Sequence, residues 1–219
     1  MRVAAFFDLD RTLIRENSGK LYAYNEYRAG RMSAWQLTKS AYWLLLHHYA
    51  LLDVEDAYGK AAMHWRGVPG SEVAKLADQW FTRDVDARLT PGGKRALAEH
   101  RANGHLTVLL SNTSQYIAAA AARTWQLDAW LANTIPCDAQ GNILGSMGSP
   151  LCIGPGKVHK AEAFAMEHEV DLAASYFYGD SVTDAPMLER VGHPRVVNPD
   201  LGLAKIARER GWPVLDFTR

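Results

Sequence analysis

The sequence predicts an α/β fold, with a parallel β-sheet covered by helices on both faces and interrupted by an all-helical insertion. The first strand candidate, residues 3–7, is wholly apolar, as expected for a central strand buried on both faces. After residue 86, helical and strand patterns alternate, which is typical of a parallel sheet. Only helical patterns occur between residues 15 and 86. We therefore predict a core of residues 1–14 and 87–219 and an insertion of residues 15–86.

The insertion contains four predicted helices. Gly30 ends the first helix, and Ser33 and Asp53 are suitable N-cap residues for the second and third. A Gly-Val-Pro-Gly segment at residues 67–70 separates the third helix from the fourth. The predicted helices are Ser18–Ala29, Ser33–Tyr49, Asp53–Trp65 and Ser71–Thr82.

The core contains the alternating elements, and a turn at Asp138–Asn142 predicts one hairpin with Ile143 on its return arm. The predicted core helices are Gly93–Asn103, Gln115–Trp125, Lys157–Glu169, Asp184–Val191 and Leu201–Arg210. The strands predicted after the first one are Leu106–Leu110, Leu131–Ile135, Tyr176–Tyr178, Arg195–Val197 and Val214–Phe217.

Composition narrows the class of protein. Of the 219 residues, 48% are apolar, which is enough for a full core. The 24 Lys and Arg residues together equal the 24 Asp and Glu residues in number. This balance argues against a nucleic-acid partner, which usually requires a basic surplus. Cys137 and Cys152 have neither metal-ligand nor redox-motif spacing, and we predict that both are reduced. We see no export signal and no apolar run long enough to span a bilayer, and therefore expect a cytoplasmic protein without stable membrane association.

Polar clusters follow three of the predicted strands, at the sheet edge where ligands bind in open α/β folds. The clusters are Asp8-Leu9-Asp10, Ser111-Asn112-Thr113-Ser114 and Gly179-Asp180-Ser181-Val182-Thr183-Asp184. Each has an ordinary structural explanation by itself, since Asp-x-Asp can cap a turn and Ser114 or Thr183 can cap the next helix. Asp180 is different, because a carboxylate beside other acids is repelled unless a cation is present. Hydroxyl and N–H groups around Ser111 and Asn112 suit a phosphate.

A lysine completes this arrangement. Lys157 opens a helix after Gly154-Pro155-Gly156, where its ammonium could balance the charge of a phosphoryl group, whereas Lys160 fits a solvated surface lysine better. Mg²⁺ suits a site of carboxylate and carbonyl oxygens, here the side chains of Asp8 and Asp180 and the main-chain carbonyl of Asp10. Asp8 could then attack phosphorus to give an aspartyl phosphate, with Asp10 as general acid and base.

These motifs, in this order and spacing, resemble those of the haloacid dehalogenase (HAD) superfamily, and within it the phosphoserine-phosphatase-like branch, subfamily IB. The match extends over nearly the whole chain, from Asp8-Leu9-Asp10-Arg11-Thr12-Leu13 through Ser111 and Lys157 to the Gly179–Asp184 segment. The resemblance implies a Rossmann-like core with a helical-bundle cap, for which residues 15–86 are the match. It also implies that Asp184 holds Lys157 and metal-bound water in place.

Two positions depart from the family pattern. Arg11 stands where many members have glycine. Asn17, with Glu16 beside it, stands where phosphoserine phosphatases have the glutamate that binds the substrate amine. Phosphoserine itself is therefore not the expected substrate. We expect a small polar phosphomonoester, such as an amino-alcohol phosphate, with Glu16, Asn17 and Arg66 as candidate substrate-binding residues.

Three other functions remain open at this point. The same aspartyl phosphate could serve a phosphotransferase or a mutase, if an alcohol replaces water as acceptor. A non-catalytic phosphometabolite-binding protein could keep the fold, although it would be expected to have lost Asp8 or Lys157, and both are present. The apolar run at residues 43–46 fits a lipid-processing role, but a buried helix in the insertion explains it equally well.

Overall fold

A six-stranded, fully parallel β-sheet forms the centre of the computed structural model, which describes residues 1–28, 30, 33, 59 and 62–219. The strands lie in the order β3-β2-β1-β4-β5-β6, so that β1 lies between β2 and β4. The register places Phe7 of β1 opposite Leu109 of β2 and Tyr178 of β4. The strands are β1 (Ala4–Phe7), β2 (Leu106–Ser114), β3 (Ala129–Asn133), β4 (Tyr176–Gly179), β5 (His193–Val197) and β6 (Val214–Leu215).

Helices cover both faces of this sheet, and the alternation of side chains along β1 separates two hydrophobic cores. Ala5 and Phe7 pack with α3 and α4 on one face, whereas Ala4 and Phe6 pack with α5, α6 and α7 on the other. The predicted α/β class is therefore confirmed. The α-helices of the described residues are α1 (Ser18–Arg28), α2 (Gly70–Trp80), α3 (Pro91–Ala102), α4 (Gln115–Trp125), α5 (Pro155–Glu167), α6 (Ala185–Arg190) and α7 (Leu201–Arg210).

Most predicted elements are found, with bounds shifted by a few residues. The strand predicted at residues 131–135 is displaced by two positions. The observed strand, β3, already begins at Ala129, which pairs with Val108 of β2. Ile135 lies beyond the strand, where its backbone N–H donates to Gln115 Oε1 at 3.0 Å. The hairpin turn is confirmed: Asp138 N–H donates to the carbonyl of Asn142, and Cys137 pairs with Ile143 in an antiparallel bridge.

The insertion begins and ends at neighbouring points of the core. Ile14 forms an antiparallel bridge with Leu89, and Thr90 N–H donates to the carbonyl of Leu13. Within residues 15–86 the structure describes α1, α2, a π-helix at Phe81–Val85 and the start of a 3₁₀-helix at Asp86–Arg88. The predicted helix at residues 33–49 and most of the one at 53–65 lie outside the described residues. The division into a core and a cap stays a prediction.

None of the helices in the described part of the chain combines the length and the apolar character needed to cross a membrane.

Candidate active site

The carboxyl ends of three adjacent strands bring the predicted motifs together. Asp8 follows β1, Ser111 lies in the last half of the neighbouring β2, and Asp180 follows β4 on the other side of β1. All three side chains are buried. Asp8 N–H donates to the carbonyl of Tyr178 at 2.9 Å, which extends the pairing of β1 with β4 to the nucleophile candidate. The arrangement follows from the parallel topology, because parallel strands end at the same sheet edge.

Lys157 lies at the centre of the site. Helix α5 begins at Pro155 and directs the Lys157 ammonium between two carboxylates, 2.8 Å from Asp8 Oδ1 and 2.7 Å from Asp184 Oδ1. Only 3% of the lysine is exposed. Burial alone would lower the pKa of Lys157, but Asp184 and Asp8 outweigh this effect and raise the pKa above its usual range. The ammonium is therefore a permanent positive charge in the site.

Three buried carboxylates surround this single ammonium. Asp8, Asp180 and Asp184 each offer an oxygen within 4.8 Å of the others. Burial raises the pKa of Asp8 to about 7, against the opposing effect of Lys157. Burial, together with the Asp8 and Asp184 charges, raises the pKa of Asp180 to about 9. This excess of negative charge and the all-oxygen donor set fit a hard divalent cation such as Mg²⁺.

A short turn after β4 holds Asp180 and Asp184 together. Asp184 Oδ2 accepts hydrogen bonds from the backbone N–H groups of Asp180 and Ser181, each at 3.2 Å. A side chain at Gly179 would meet Asp184 at 2.8 Å, so the close approach requires glycine. The expectation that Thr183 caps the next helix is wrong, because Ser181 and Asp184 form a capping box and the Thr183 hydroxyl bonds to Ser181 Oγ. The Ser-x-x-Asp spacing is the signal that could have indicated this.

Asp10 is held by residues that follow it in the chain. Ser18 N–H donates to Asp10 Oδ1 at 2.8 Å, and Asn17 Nδ2 donates to Asp10 Oδ2 at 3.1 Å. Burial nevertheless raises the pKa of Asp10, outweighing the hydrogen bonding from Ser18. A raised pKa favours the protonated form that a general acid needs.

The predicted phosphate-binding segment, residues 111–114, forms the last four residues of β2, directly before α4. Ser114 is the N-cap of α4, with Ser114 Oγ accepting from Ile117 N–H at 3.4 Å, as its ordinary structural interpretation predicts. Asn112 Oδ1 accepts from Asn133 Nδ2 at 2.8 Å, so the side chain of Asn112 is tied to β3. Ser111 is 2% exposed.

The three candidate substrate-binding residues occupy different surroundings. Glu16 forms an ion pair with Arg88 Nη1 at 2.5 Å, across the two connections between the insertion and the core. Asn17 contacts Asp10, as described above. Arg66 is exposed and lies against Gly145, beside the hairpin at residues 137–143. Their part in substrate binding stays a prediction.

Two further residues, which were not predicted from the sequence, contact the site. Asp200, the N-cap of α7, accepts from Val182 N–H at 3.1 Å, and its own N–H donates to the carbonyl of Asp180 at 2.9 Å. Its position after a fourth parallel strand was the available signal. Arg11 Nη1 lies 3.8 Å from Asp180 Oδ2, and the φ of Arg11 is 59°, a left-handed conformation that glycine adopts without strain.

Lys160 and the two cysteines were also considered from the sequence. Lys160 is half-buried and exposes part of its side chain. Cys137 and Cys152 are both free thiols, exposed and buried respectively.

Comparison with known proteins gives consistent matches. The sequence model of the haloacid dehalogenase-like hydrolase family matches residues 5–189. A probable phosphatase of Mycobacterium tuberculosis is 31% identical over 222 residues, covering 100% of this chain and 76% of the relative. A phosphoserine phosphatase of the same organism is 29% identical over 221 residues, covering 99% of this chain and 71% of the relative. A Bordetella pertussis crystal structure, titled a protein with unknown function, superposes with a TM-score of 0.89 and 27% identity, covering 99% of each chain.

The predicted family and the predicted enzyme class, a phosphoric monoester hydrolase of that family, are confirmed by these matches. The match to the family model begins within β1 and includes the insertion and all four motifs. The chain belongs to the haloacid dehalogenase-like hydrolase family.

Proposed function

We propose that this protein is a Mg²⁺-dependent phosphomonoester phosphatase that forms an aspartyl phosphate on Asp8. The observation that carries the proposal is the buried contact of Lys157 with Asp8 and Asp184 at the carboxyl end of β1. A carboxylate at that position needs a nearby positive charge before it can approach a phosphate dianion. Lys157 supplies one such charge.

Each residue then has a defined part in the reaction. An Asp8 oxygen forms a bond to phosphorus while the bond from phosphorus to the ester oxygen breaks, and Asp10 gives its proton to the departing alkoxide. Asp10 next takes a proton from water, and the water oxygen bonds to phosphorus as the bond to Asp8 breaks. Asp184 keeps Lys157 in place. Ser111 and the Asn112 backbone hold the phosphate oxygens at the carboxyl end of β2.

The metal-binding residues are Asp8 and Asp180 through their side chains and Asp10 through its main-chain carbonyl. Bound Mg²⁺ supplies a second positive charge for the phosphoryl oxygens. The raised pKa values of Asp8 and Asp180 support this assignment, since they report buried negative charge that lacks a sufficient counter-ion.

Residues 15–86 are proposed to form the cap over this site. The pairing of Ile14 with Leu89 supports this, because it places both connections to the insertion side by side, next to the loop that carries Asp10. The proposed substrate is a small polar phosphomonoester with an amine-bearing leaving group, in the cytoplasm. A relative named phosphoserine phosphatase supports the class. Glu16 and Arg66 remain candidate contacts for the leaving group.

A substrate panel tests the proposal. Purified protein is assayed with phosphoserine, 2-aminoethyl phosphate, glycerol 3-phosphate, p-nitrophenyl phosphate and a long-chain phosphatidate, with released phosphate as the readout. We expect turnover of the small esters, with 2-aminoethyl phosphate preferred over phosphoserine, together with loss of activity in EDTA and recovery with Mg²⁺. Full activity after chelation would refute the metal assignment, and a preference for the phosphatidate would refute the substrate class.

Replacement of the nucleophile tests the mechanism. Asp8→Asn keeps the shape of the side chain and removes its charge, so we expect turnover to fall by at least about 10³-fold, as for loss of a catalytic nucleophile. Lys157 keeps Asp184 as its partner in this variant, and the site loses one of three mutually repelling carboxylates. The melting temperature of the variant should therefore be no lower than that of the unmodified protein. Residual activity within tenfold would contradict an aspartyl phosphate at Asp8.

A further inference from the structure

Asn17 connects the first helix of the insertion to the general-acid candidate. It directly precedes α1, and Asn17 Oδ1 accepts from Lys20 N–H at 3.0 Å, the hydrogen bond of an N-cap residue. The other end of the same amide donates, from Nδ2, to Asp10 Oδ2 at 3.1 Å. The Lys20 contact fixes this orientation of the amide, because a backbone N–H can only donate, so Oδ1 faces Lys20 and Nδ2 faces Asp10.

The second oxygen of Asp10 is held by the same turn of helix. Ser18 N–H donates to Asp10 Oδ1 at 2.8 Å. The intervening loop turns back on itself through hydrogen bonds from Ile14 N–H to the carbonyl of Leu9 and from Arg11 N–H to the carbonyl of Glu16. The two contacts fix both the position and the rotation of the Asp10 carboxyl group.

We propose that Asn17 is a positioning residue for Asp10, which aims the acidic proton at the leaving oxygen of the substrate. The inference rests on the proposed function and gives Asn17 a different part from the substrate contact expected from its sequence position. The side-chain carbonyl of Asn17 is hydrogen-bonded to Lys20 N–H, and its amide nitrogen is hydrogen-bonded to Asp10. Asn17 thereby links the orientation of Asp10 to the start of α1.

The proposal has a chemical signature. A primary alkoxide is a poor leaving group and needs a proton as its bond to phosphorus breaks, whereas p-nitrophenolate leaves without one. A misdirected Asp10 should therefore slow the cleavage of alkyl phosphates and spare p-nitrophenyl phosphate. The ratio kcat/KM isolates this step, since it reports events up to formation of the aspartyl phosphate; the later hydrolysis is common to both esters.

Two variants separate positioning from helix capping. Asn17→Asp keeps an N-cap acceptor for Lys20 N–H, since Asp and Asn cap equally well, but replaces the donor to Asp10 by an acceptor. Asn17→Ser also keeps a capping oxygen and removes the amide. As a matched control, Asp171→Ala removes a capping carboxylate from Ala173 N–H at the far, amino end of β4.

For both Asn17 variants at pH 7.5 we expect kcat/KM to fall by about 10- to 100-fold for the best primary-alkyl phosphate of the panel, the size of a misplaced general acid. The loss should stay within about threefold for p-nitrophenyl phosphate, and the Asp171→Ala control should change neither value by more than about twofold.

Equal losses on the two esters, or no loss on either, would overturn the inference while leaving the phosphatase proposal intact. Melting curves check that the Asn17 variants are folded. For Asn17→Asp the midpoint should be lower than that of the unmodified protein, because the new carboxylate replaces an amide nitrogen that lies 3.1 Å from Asp10 Oδ2. Asn17→Ser introduces no such charge. An unmodified protein that hydrolyses neither ester would refute the proposed function itself, and the positioning role with it.

Discussion

At the scale of single residues, the site depends on an imbalance of charge. Lys157 offers one positive charge to Asp8 and Asp184, and Asp180 adds a third carboxylate. Removing one partner of a buried ion pair leaves an uncompensated charge, which is far more destabilising than breaking a pair on the surface. Lys157 is therefore expected to stabilise the fold as well as the reaction.

Replacing Lys157 by methionine tests this expectation. Lys157→Met keeps most of the volume and removes the charge, so we expect the free energy of unfolding in EDTA to fall by about 3–5 kcal/mol. The loss should be smaller at pH 5.5 than at pH 8, because protonation at the lower pH removes part of the uncompensated negative charge. Urea unfolding at the two pH values measures it.

Lys160→Met is the matched control, since Lys160 lies on the same helix without such partners among the ion pairs of the described residues. Its effect should be within about 0.5 kcal/mol, as for an ordinary surface substitution. Similar losses for the two lysine variants would contradict a special role for Lys157.

At the scale of elements, the beginning of α7 supports the turn that carries the metal-binding candidate. Asp200 caps α7 through Leu203 N–H at 2.7 Å and uses its other oxygen for Val182 N–H. One side chain thus ties a helix end to the residues that follow Asp180. The turn and the helix should be displaced together when this carboxylate is lost.

Asp200→Ala is expected to lower the free energy of unfolding by about 1 kcal/mol, the usual effect of losing a helix cap. It should also weaken Mg²⁺ binding, since Asp180 loses the support of its turn. The Mg²⁺ concentration for half-maximal thermal stabilisation measures the second effect. Asp171→Ala, which removes a cap at the opposite edge of the sheet, should leave that concentration unchanged. An equal shift in both variants would contradict a link between Asp200 and the metal site.

The order of strands and helices also explains which site residues could be predicted from the sequence. Asp8, Ser111 and Asp180 each follow an apolar segment, so a local pattern was sufficient to bring them to one sheet edge. The contacts of Glu16 with Arg88 and of Asp200 with Val182 join residues 72 and 18 positions apart. No local pattern specifies such pairs, because they depend on how the connections cross in three dimensions.

The contact between Asn17 and Asp10 was hidden for another reason. The two residues are only seven positions apart, but the loop between them has to turn back for them to meet. The family resemblance directed attention to a substrate contact at residue 17. The preference of Asn for the position just before a helix, which the contact with Lys20 satisfies, was not used.

At the scale of the whole molecule, the raised pKa values predict how stability depends on pH. Asp8 and Asp180 have pKa values of about 7 and about 9 in the folded protein, above their value in an unfolded chain. The folded state therefore binds protons more tightly than the unfolded chain. These two groups stabilise it below about pH 4, and this contribution to stability is lost as pH rises towards 9.

His100 acts in the opposite direction. Burial, with help from His105 and Arg195, lowers the pKa of His100 to about 4, so its contribution to stability is lost as pH falls below 6.5.

Between pH 6.5 and 9 the carboxylates should dominate. In EDTA we expect the melting temperature to fall steadily over this range, and Mg²⁺ should raise it more at pH 8.5 than at pH 6.5 because the cation competes with protons. Differential scanning calorimetry at several pH values checks both effects. A melting temperature that rises with pH in EDTA would contradict the proposed charge imbalance.

The bridge from Lys157 to Asp8 and Asp184 also has a consequence for biosynthesis. Its three members are 149 and 27 positions apart, and β1 acquires its second neighbour only when β4 is paired. A nascent chain that has emerged from the ribosome as far as residue 150 carries Asp8 without its ammonium partner. If Lys157 has the proposed role, a product that terminates before residue 157 is expected to be inactive, because the ammonium is encoded in the final third of the chain.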